Sequence, residues 1–214
     1  MPKESIAVAI KVKSPLHLSS GRADVNVDTD IVHDHLGLPY FPARRFKGLL
    51  YESALETAEM MELSGLEVIN KQMVEELFHH RADSPAGLVL RDFHLPDYDE
   101  LAHEWSCLQR EFAKVIRPED VLSAYTSLRT QTALDENGVA KDSSLRTIRV
   151  LDLSNVTFEG EIILYGGDKY KQVLAFALQN LTNAGGHRHR GFGKIECSMA
   201  GQTEIIREAL SGVK

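Results

Sequence analysis

The sequence predicts an α+β fold with four core strands and two core helices, and three observations carry the prediction. Near the N-terminus Ile6, Val8, Ile10 and Val12 alternate with Ala7, Ala9 and Lys11, the period-two pattern of a strand with one buried face. Two later segments space apolar residues three and four apart, as an amphipathic helix does. The order of these periodic segments then leaves few architectures open.

Ser14-Pro15 ends the first strand, and residues 19 to 39 carry Ser, Gly, Asp, Asn, His and Pro with no sustained apolar period, which predicts a long loop. From Arg45 to Leu63, the residues Phe46, Leu49, Leu50, Ala54, Thr57, Met60 and Met61 recur at helical spacing, and Gly65 stops the helix. A second helix is expected from about Glu67 to Phe78, then a strand over Gly87 to Leu95. Asp97 caps a helix to about Val115, and Pro118 opens a short one. Asn137-Gly138 is a hairpin turn signal, and its flanks predict an exposed arm too polar to sit in a core. Val156 to Tyr165 reads as a strand with Val156, Phe158, Ile162 and Leu164 on one face. Asp168 opens a helix in which Val173, Ala177 and Leu181 stack, and Lys194 to Met199 is the last core strand. Without the insertions the order is strand, helix, strand, strand, helix, strand, the ferredoxin-like (RRM-like) βαββαβ arrangement with both helices on one face of an antiparallel sheet. One domain over 1–214 is expected, with helical insertions at about 65–85 and 97–126 and the hairpin arm at about 127–151.

Composition bounds the function. The 214 residues are 43% hydrophobic and 26% charged, enough Leu, Ile and Val to close a core and to exclude disorder for most of the chain. No apolar run approaches the ~18 residues of a membrane helix, and the N-terminus alternates instead of forming a signal-peptide core, so a cytoplasmic protein is expected. Cys107 and Cys197 lack any disulfide or zinc spacing and read as core fillers. The net charge of −7 argues against a polyanionic partner until its distribution is considered. Seven glutamates face Lys71 alone between Tyr51 and Glu76, whereas Arg44, Arg45 and Lys47 cluster, and Arg188, Arg190 and Lys194 lie in a stretch without an acid. Basic clusters on an acidic chain mark a local footprint.

The most specific feature is Gly185-Gly186-His187-Arg188-His189-Arg190-Gly191-Phe192-Gly193, with four glycines in nine residues. Glycine permits positive backbone angles and close backbone approach, and the interleaved side chains supply donors, which suits a phosphodiester chain. A mononucleotide P-loop is excluded, because Phe192 follows Gly191 where Lys is required and a helix precedes the loop. A plain helix C-cap followed by a turn is the simpler alternative.

In this loop the sequence resembles the RAMP superfamily of CRISPR proteins, whose signature GGxxxxGxGK lies between the last helix and last strand of a ferredoxin-like domain. Leu38-Pro39-Tyr40-Phe41-Pro42 followed by Phe46-Lys47-Gly48 is similar to the family's PYIPGSSLKG segment. Leu77-Phe78 followed by Gly87-Leu88-Val89-Leu90-Arg91-Asp92 resembles a further family stretch. Thr130 to Thr147 looks like the arm of the backbone subunits of type III effector complexes. Ala43, Arg44 and Arg45 depart from the pattern, standing where the family has Gly-Ser-Ser.

The resemblance implies a repeated backbone subunit of a type III interference complex that binds guide RNA, meets target RNA and other effector subunits, and associates head to tail with itself. Guide phosphates are expected along the sheet face and the 185–194 loop. They would contact Arg188, Arg190, Lys194 and Lys47 with Arg44, Arg45 and the backbone of Gly185, Gly186, Gly191 and Gly193. The arm would fold over the guide and interrupt its pairing with target.

The resemblance also implies that an aspartate on the preceding loop holds a divalent cation, Mg or Mn, for cleavage of target RNA. Alignment on Leu38-Pro39-Tyr40 puts Asp28 there as catalytic and metal-binding residue; a slip of two residues puts Asp30 there, and Asp34 matches a second acid. Asp24, Asn26, Asp28 and Asp30 also mimic calcium-loop ligands, but Thr29 replaces the required glycine and His35 the closing glutamate. A solvated loop without chemistry stands beside these readings. Processing members of the superfamily use histidine as a general base, a part open to His17, His33 or His35, whereas His79-His80 read as a helix-end cap. Arg129, Arg146 and Arg149 either touch a duplex or pair with Asp135, Glu136 and Asp142. The rival functions are a non-catalytic capping subunit, a stand-alone metal-independent endoribonuclease that processes precursor RNA, and an assembly module with no RNA affinity.

Overall fold

The computed structural model describes residues 2–23, 27–79, 85–132, 136, 141, 144–152 and 156–212. The elements in chain order are β1 (Lys3–Val12), α1 (Ala43–Leu63), α2 (Lys71–Phe78), β2 (Gly87–Leu90), α3 (Tyr98–Glu111), α4 (Pro118–Tyr125), β3 (Thr126–Gln131), β4 (Arg146–Leu151), β5 (Thr157–Tyr165), α5 (Asp168–Asn180), β6 (Ile195–Met199) and α6 (Gln202–Ser211). Four strands form an antiparallel sheet in the order β2-β5-β1-β6, with Ile6 opposite Ile162, Ile10 opposite Phe158 and Cys197, and Val12 opposite Ile195. This is the predicted ferredoxin-like order: the first and third core strands, β1 and β5, lie at the centre, and the second and fourth, β2 and β6, at the edges.

The alternation read in β1 is the burial pattern observed: Ile6, Val8, Ile10 and Val12 are buried against α1 and α5. Each contributes about 1.5–3 kcal/mol relative to an exposed side chain. The same face of β5 carries Phe158, Ile162 and Leu164, interrupted by Gly160. A Cβ there would come within 2.6 Å of the Phe93 ring, so glycine makes room for an aromatic supplied by the segment after β2. Small residues of α1, among them Ser53, Ala54, Thr57 and Ala58, are buried facing α5, and Ser53 Oγ donates to the Ala177 carbonyl at 2.8 Å. α5 is buried nearly all round, which explains why its sequence shows no polar stripe.

Several expectations are corrected. The arm is a real two-stranded sheet, with Thr126 opposite Leu151 and Gln131 opposite Arg146, and the Asn137-Gly138 turn lies outside the described residues. It is not wholly exposed: Ile148, Val150 and Leu151 of β4 are buried, because Leu16 pairs with Leu151 and Thr29 with Ile148. Residues 27–39 are a packed segment, held by bridges from Ser19 to Ile31 and from His33 to Pro39, with Val27, Ile31, Leu36 and Leu38 buried. Cys197 is a core residue whose thiol burial pushes up to about 12, but Cys107 lies half-exposed on α3. Asp97 precedes α3 with φ 53° and makes no side-chain cap bond. The C-terminal α6 was not anticipated. Among the described residues no helix is long and apolar enough to cross a membrane.

Candidate nucleic-acid interface

The glycine-rich loop leaves α5 and returns to β6 through four residues of positive φ: Gly185 at +77°, His187 at 59°, Gly191 at +81° and Gly193 at +76°. Two glycines are obligatory. A Cβ at Gly193 would lie 2.0 Å from the Ala184 carbonyl oxygen, and one at Gly185 would lie 2.5 Å from that of His17. Backbone bonds close the loop's base: Ala184 N–H to Gly193 at 2.8 Å, Gly193 N–H to Pro15 at 2.8 Å and Gly186 N–H to His17 at 2.9 Å. The middle of the loop stands clear, and nothing lies within 4 Å of a Cβ built at Gly191. Arg188, Arg190 and Lys194 are exposed there. The side chains of Arg188 and Lys194 have no hydrogen-bond or ion-pair partner among the described residues, while Arg190 donates to Gln131 Oε1 of β3 at 2.9 Å. The loop and the arm are therefore neighbours.

Beneath this loop is a cleft of about 350 Å³ whose walls include His17, Ser19, Arg44, Arg45, Gly185 and Gly186. It brings together two clusters that are about 140 positions apart in the chain. α1 begins here without an acidic residue in its first turn, and its start is capped from outside the helix by Asp92, whose Oδ1 accepts from the Ala43 N–H at 2.7 Å. Arg44 is exposed, and Arg45 reaches across to donate to the Ser19 carbonyl. A smaller cavity of about 140 Å³ beside it is lined by Glu52, Glu56, Asn183 and Arg188, among others.

Lys47 does not join them. On the next face of α1 it donates to the Leu88 carbonyl of β2 at 3.3 Å, and burial lowers its pKa. β2 and β6 are opposite edges of the sheet, which removes Lys47 from the loop's surroundings. The open sheet face, along which guide phosphates are expected, presents Glu159, Glu161 and Glu196, all exposed, together with Lys11 and Lys13, and Lys13 is paired with Glu196 at 2.6 Å.

The aspartates of residues 27–39 have three different surroundings. Asp28 is exposed; its Oδ2 accepts from the Thr147 N–H at 2.7 Å, and its Oδ1 makes no hydrogen bond among the described residues. Asp30 is largely buried and pairs with Arg149 Nε at 2.9 Å while accepting from Ile31 N–H. Asp34 accepts from the N–H groups of Leu36 and Leu38 and from the Tyr98 hydroxyl at 2.7 Å. Burial first, then that bond, pushes Tyr98 up to about 12. Asp24 and Asn26 lie outside the described residues. No group of three His, Cys, Asp or Glu side chains gathers in metal-binding geometry among the described residues. Among the described residues of this segment Asp28 is the exposed aspartate and has an oxygen, Oδ1, with no hydrogen bond, whereas Asp30 is held in its ion pair with Arg149; that exposed oxygen suits a cation taking its other ligands from water and phosphate.

Arg149, read as a duplex-contacting residue, is 9% exposed and instead locks the arm: its guanidinium bonds Asp30 and Thr126 Oγ1, and its carbonyl accepts from His17 Nδ1 at 2.7 Å. Arg129 pairs with Asp152. His33 donates from Nδ1 to the Asp34 carbonyl at 2.7 Å, His35 is exposed, and neither lines the cleft. His79 pairs with Glu75 of its own helix at 2.6 Å, and His80 lies outside the described residues. Sequence reasoning singled out no histidine, yet the position of His17 just after the first strand, two residues past Pro15, was its one available signal.

A family model described as the RAMP superfamily matches residues 9–196. No curated protein matches the chain. Among solved structures it is similar to a chain of the type III-B Cmr-beta complex bound to cognate target RNA, with a TM-score of 0.63, 12% identity, and coverage of 95% of this chain and 99% of that one. It is equally similar to a chain of the same complex in the apo state, with a TM-score of 0.63, 12% identity, and coverage of 94% and 98%.

Proposed function

The chain belongs to the RAMP superfamily, and from that premise we propose that it is a guide-RNA-binding backbone subunit of a type III CRISPR interference complex. The observation that carries the reading is the meeting of Arg44 and Arg45 with Gly185 and Gly186 across one cleft. Phosphates of a strand lying there would meet two guanidinium groups and then Arg188, Arg190 and Lys194. Contacts of this kind hold a strand without reading its sequence, as a subunit with variable guides requires. The adjacent β3–β4 arm, linked through Arg190 and Gln131, would touch the same strand. A head-to-tail interface that does not close would repeat the subunit along the RNA.

Target cleavage is the second part of the proposal. Asp28 would hold a divalent cation, Mg or Mn, through Oδ1, and such a cation supplies stabilisation of charge at the scissile phosphate. Thr147, through its N–H to Oδ2, fixes the carboxylate's orientation. In the assembled complex Asp28→Ala abolishes target cleavage and leaves guide binding intact. Cleavage of repeat RNA by the isolated protein in EDTA would instead mark a metal-independent processing ribonuclease. For the cleft itself, Arg44→Ala/Arg45→Ala weakens RNA binding at low salt and Lys47→Met does not; the reverse pattern refutes the assignment.

A further inference from the structure

Resting on the reading of the cleft as an RNA site, we propose that His17 is its ribose sensor, accepting a hydrogen bond from a 2′-hydroxyl through Nε2 and so favouring RNA over DNA. The argument begins with the ring's other nitrogen. Nδ1 lies 2.7 Å from the Arg149 carbonyl oxygen, which can only accept, so Nδ1 carries the hydrogen. In the neutral ring Nε2 is then a lone-pair acceptor. The ring is 3% exposed, and burial is the main reason its pKa falls below the ordinary value; the Arg45 guanidinium and His187 push the same way, against Asp30 and the Arg149 carbonyl. The neutral tautomer is thus the resting form at physiological pH.

The edge of the ring opposite Nδ1 is the Cδ2–Nε2 bond, and it faces the cleft. Cδ2 lies 3.4 Å from the position a Cβ would take at Gly186, and the His187 ring centroid is 5.7 Å away. Nε2 has no hydrogen-bond partner among the described residues, and His17 lines the cleft. An acceptor that shares a cleft with the Arg44 and Arg45 guanidinium groups, Glu52 lying at the wall, is complemented by a ligand hydroxyl adjoining an anion. A ribose beside its phosphodiester supplies that pair, and deoxyribose lacks the donor. Glycine at 186 keeps the approach open, since any side chain would sit against Cδ2.

The test compares binding of one single-stranded sequence made as RNA, as 2′-deoxy and as 2′-O-methyl oligonucleotide to wild type, His17→Asn and His17→Gln. Asn places an amide donor where Nδ1 stood and so satisfies the Arg149 carbonyl while deleting the Nε2 acceptor; Gln restores an acceptor near Nε2. Wild type should favour RNA over both analogues, and His17→Asn should shrink that preference about threefold to tenfold. His17→Gln should recover part of it. An RNA-to-DNA ratio that is unchanged in His17→Asn overturns the proposal, as does equal binding of all three oligonucleotides by wild type, although in either case salt-dependent binding leaves the cleft assignment standing. Absence of salt-dependent RNA binding by wild type overturns the cleft assignment as well.

Discussion

The glycine-rich loop and the aspartate-bearing segment before α1 are equally polar in sequence and are built in opposite ways. In 185–194 the backbone does the structural work, through positive φ and bonds to Pro15 and His17, and leaves the cations in solvent. In 27–39 the side chains do it: Asp30 and Asp34 each satisfy buried or half-buried donors and so are consumed by the fold. A charged group is available to a ligand only when folding does not need it. By that criterion Arg44, Arg188, Lys194 and one oxygen of Asp28 are free among the described residues, whereas Asp34 and Arg149 are not and Asp30 is held in its ion pair.

The largest predicted effects lie in the backbone of the loop. Gly193→Ala collides with the Ala184 carbonyl and should cost more than about 3 kcal/mol, read as a drop in urea midpoint. Gly191→Ala meets nothing and should cost only about 1 kcal/mol of left-handed strain. Similar losses at both positions would mean that the loop's base is not clamped. Asp30→Asn strips Arg149 of its partner inside the arm junction and should cost about 3 kcal/mol. Asp28→Ala removes one exposed bond and should cost about 1 kcal/mol or less by the same denaturation. Equal costs for the two aspartates would erase the distinction drawn between them.

A smaller effect concerns pH. Burial depresses the folded-state pKa of His17 below its ordinary value of 6.5, so the unfolded chain binds the proton more readily. Its contribution is full above pH 6.5 and is lost as the pH falls below that value toward the lower folded one. Stability measured from pH 7 to 5 should decline with a slope that His17→Asn flattens; an unchanged slope would show that the ring is not held neutral.

Much of this was legible in the sequence. The alternation in β1 gave its buried face correctly, because a half-buried strand has no other way to satisfy both sides. The two basic clusters were visible; that Arg44 and Arg45 of the first face Gly185 and Gly186, just before the second, is known only from the structure. What sequence could not show was which face of α1 each cation occupies: Arg44 and Arg45 turn to the cleft, and Lys47, two residues on, turns to β2. A helix rotates about 100° per residue, so neighbours in a basic cluster diverge. Composition also misled at β4, where Arg149 lies buried because Asp30 and Thr126, distant in sequence, supply its partners. α6 carries no motif, and its modest apolar stripe packs only partly on the core.

The most direct measurement is RNA affinity across a salt series for wild type, Arg44→Ala/Arg45→Ala and Arg188→Ala/Arg190→Ala. If cleft and loop grip consecutive phosphates, each double variant binds more weakly and its log–log salt slope is shallower by about 1.4, the release of two contacts on a single strand. Affinities and slopes equal to wild type in both variants would contradict the account.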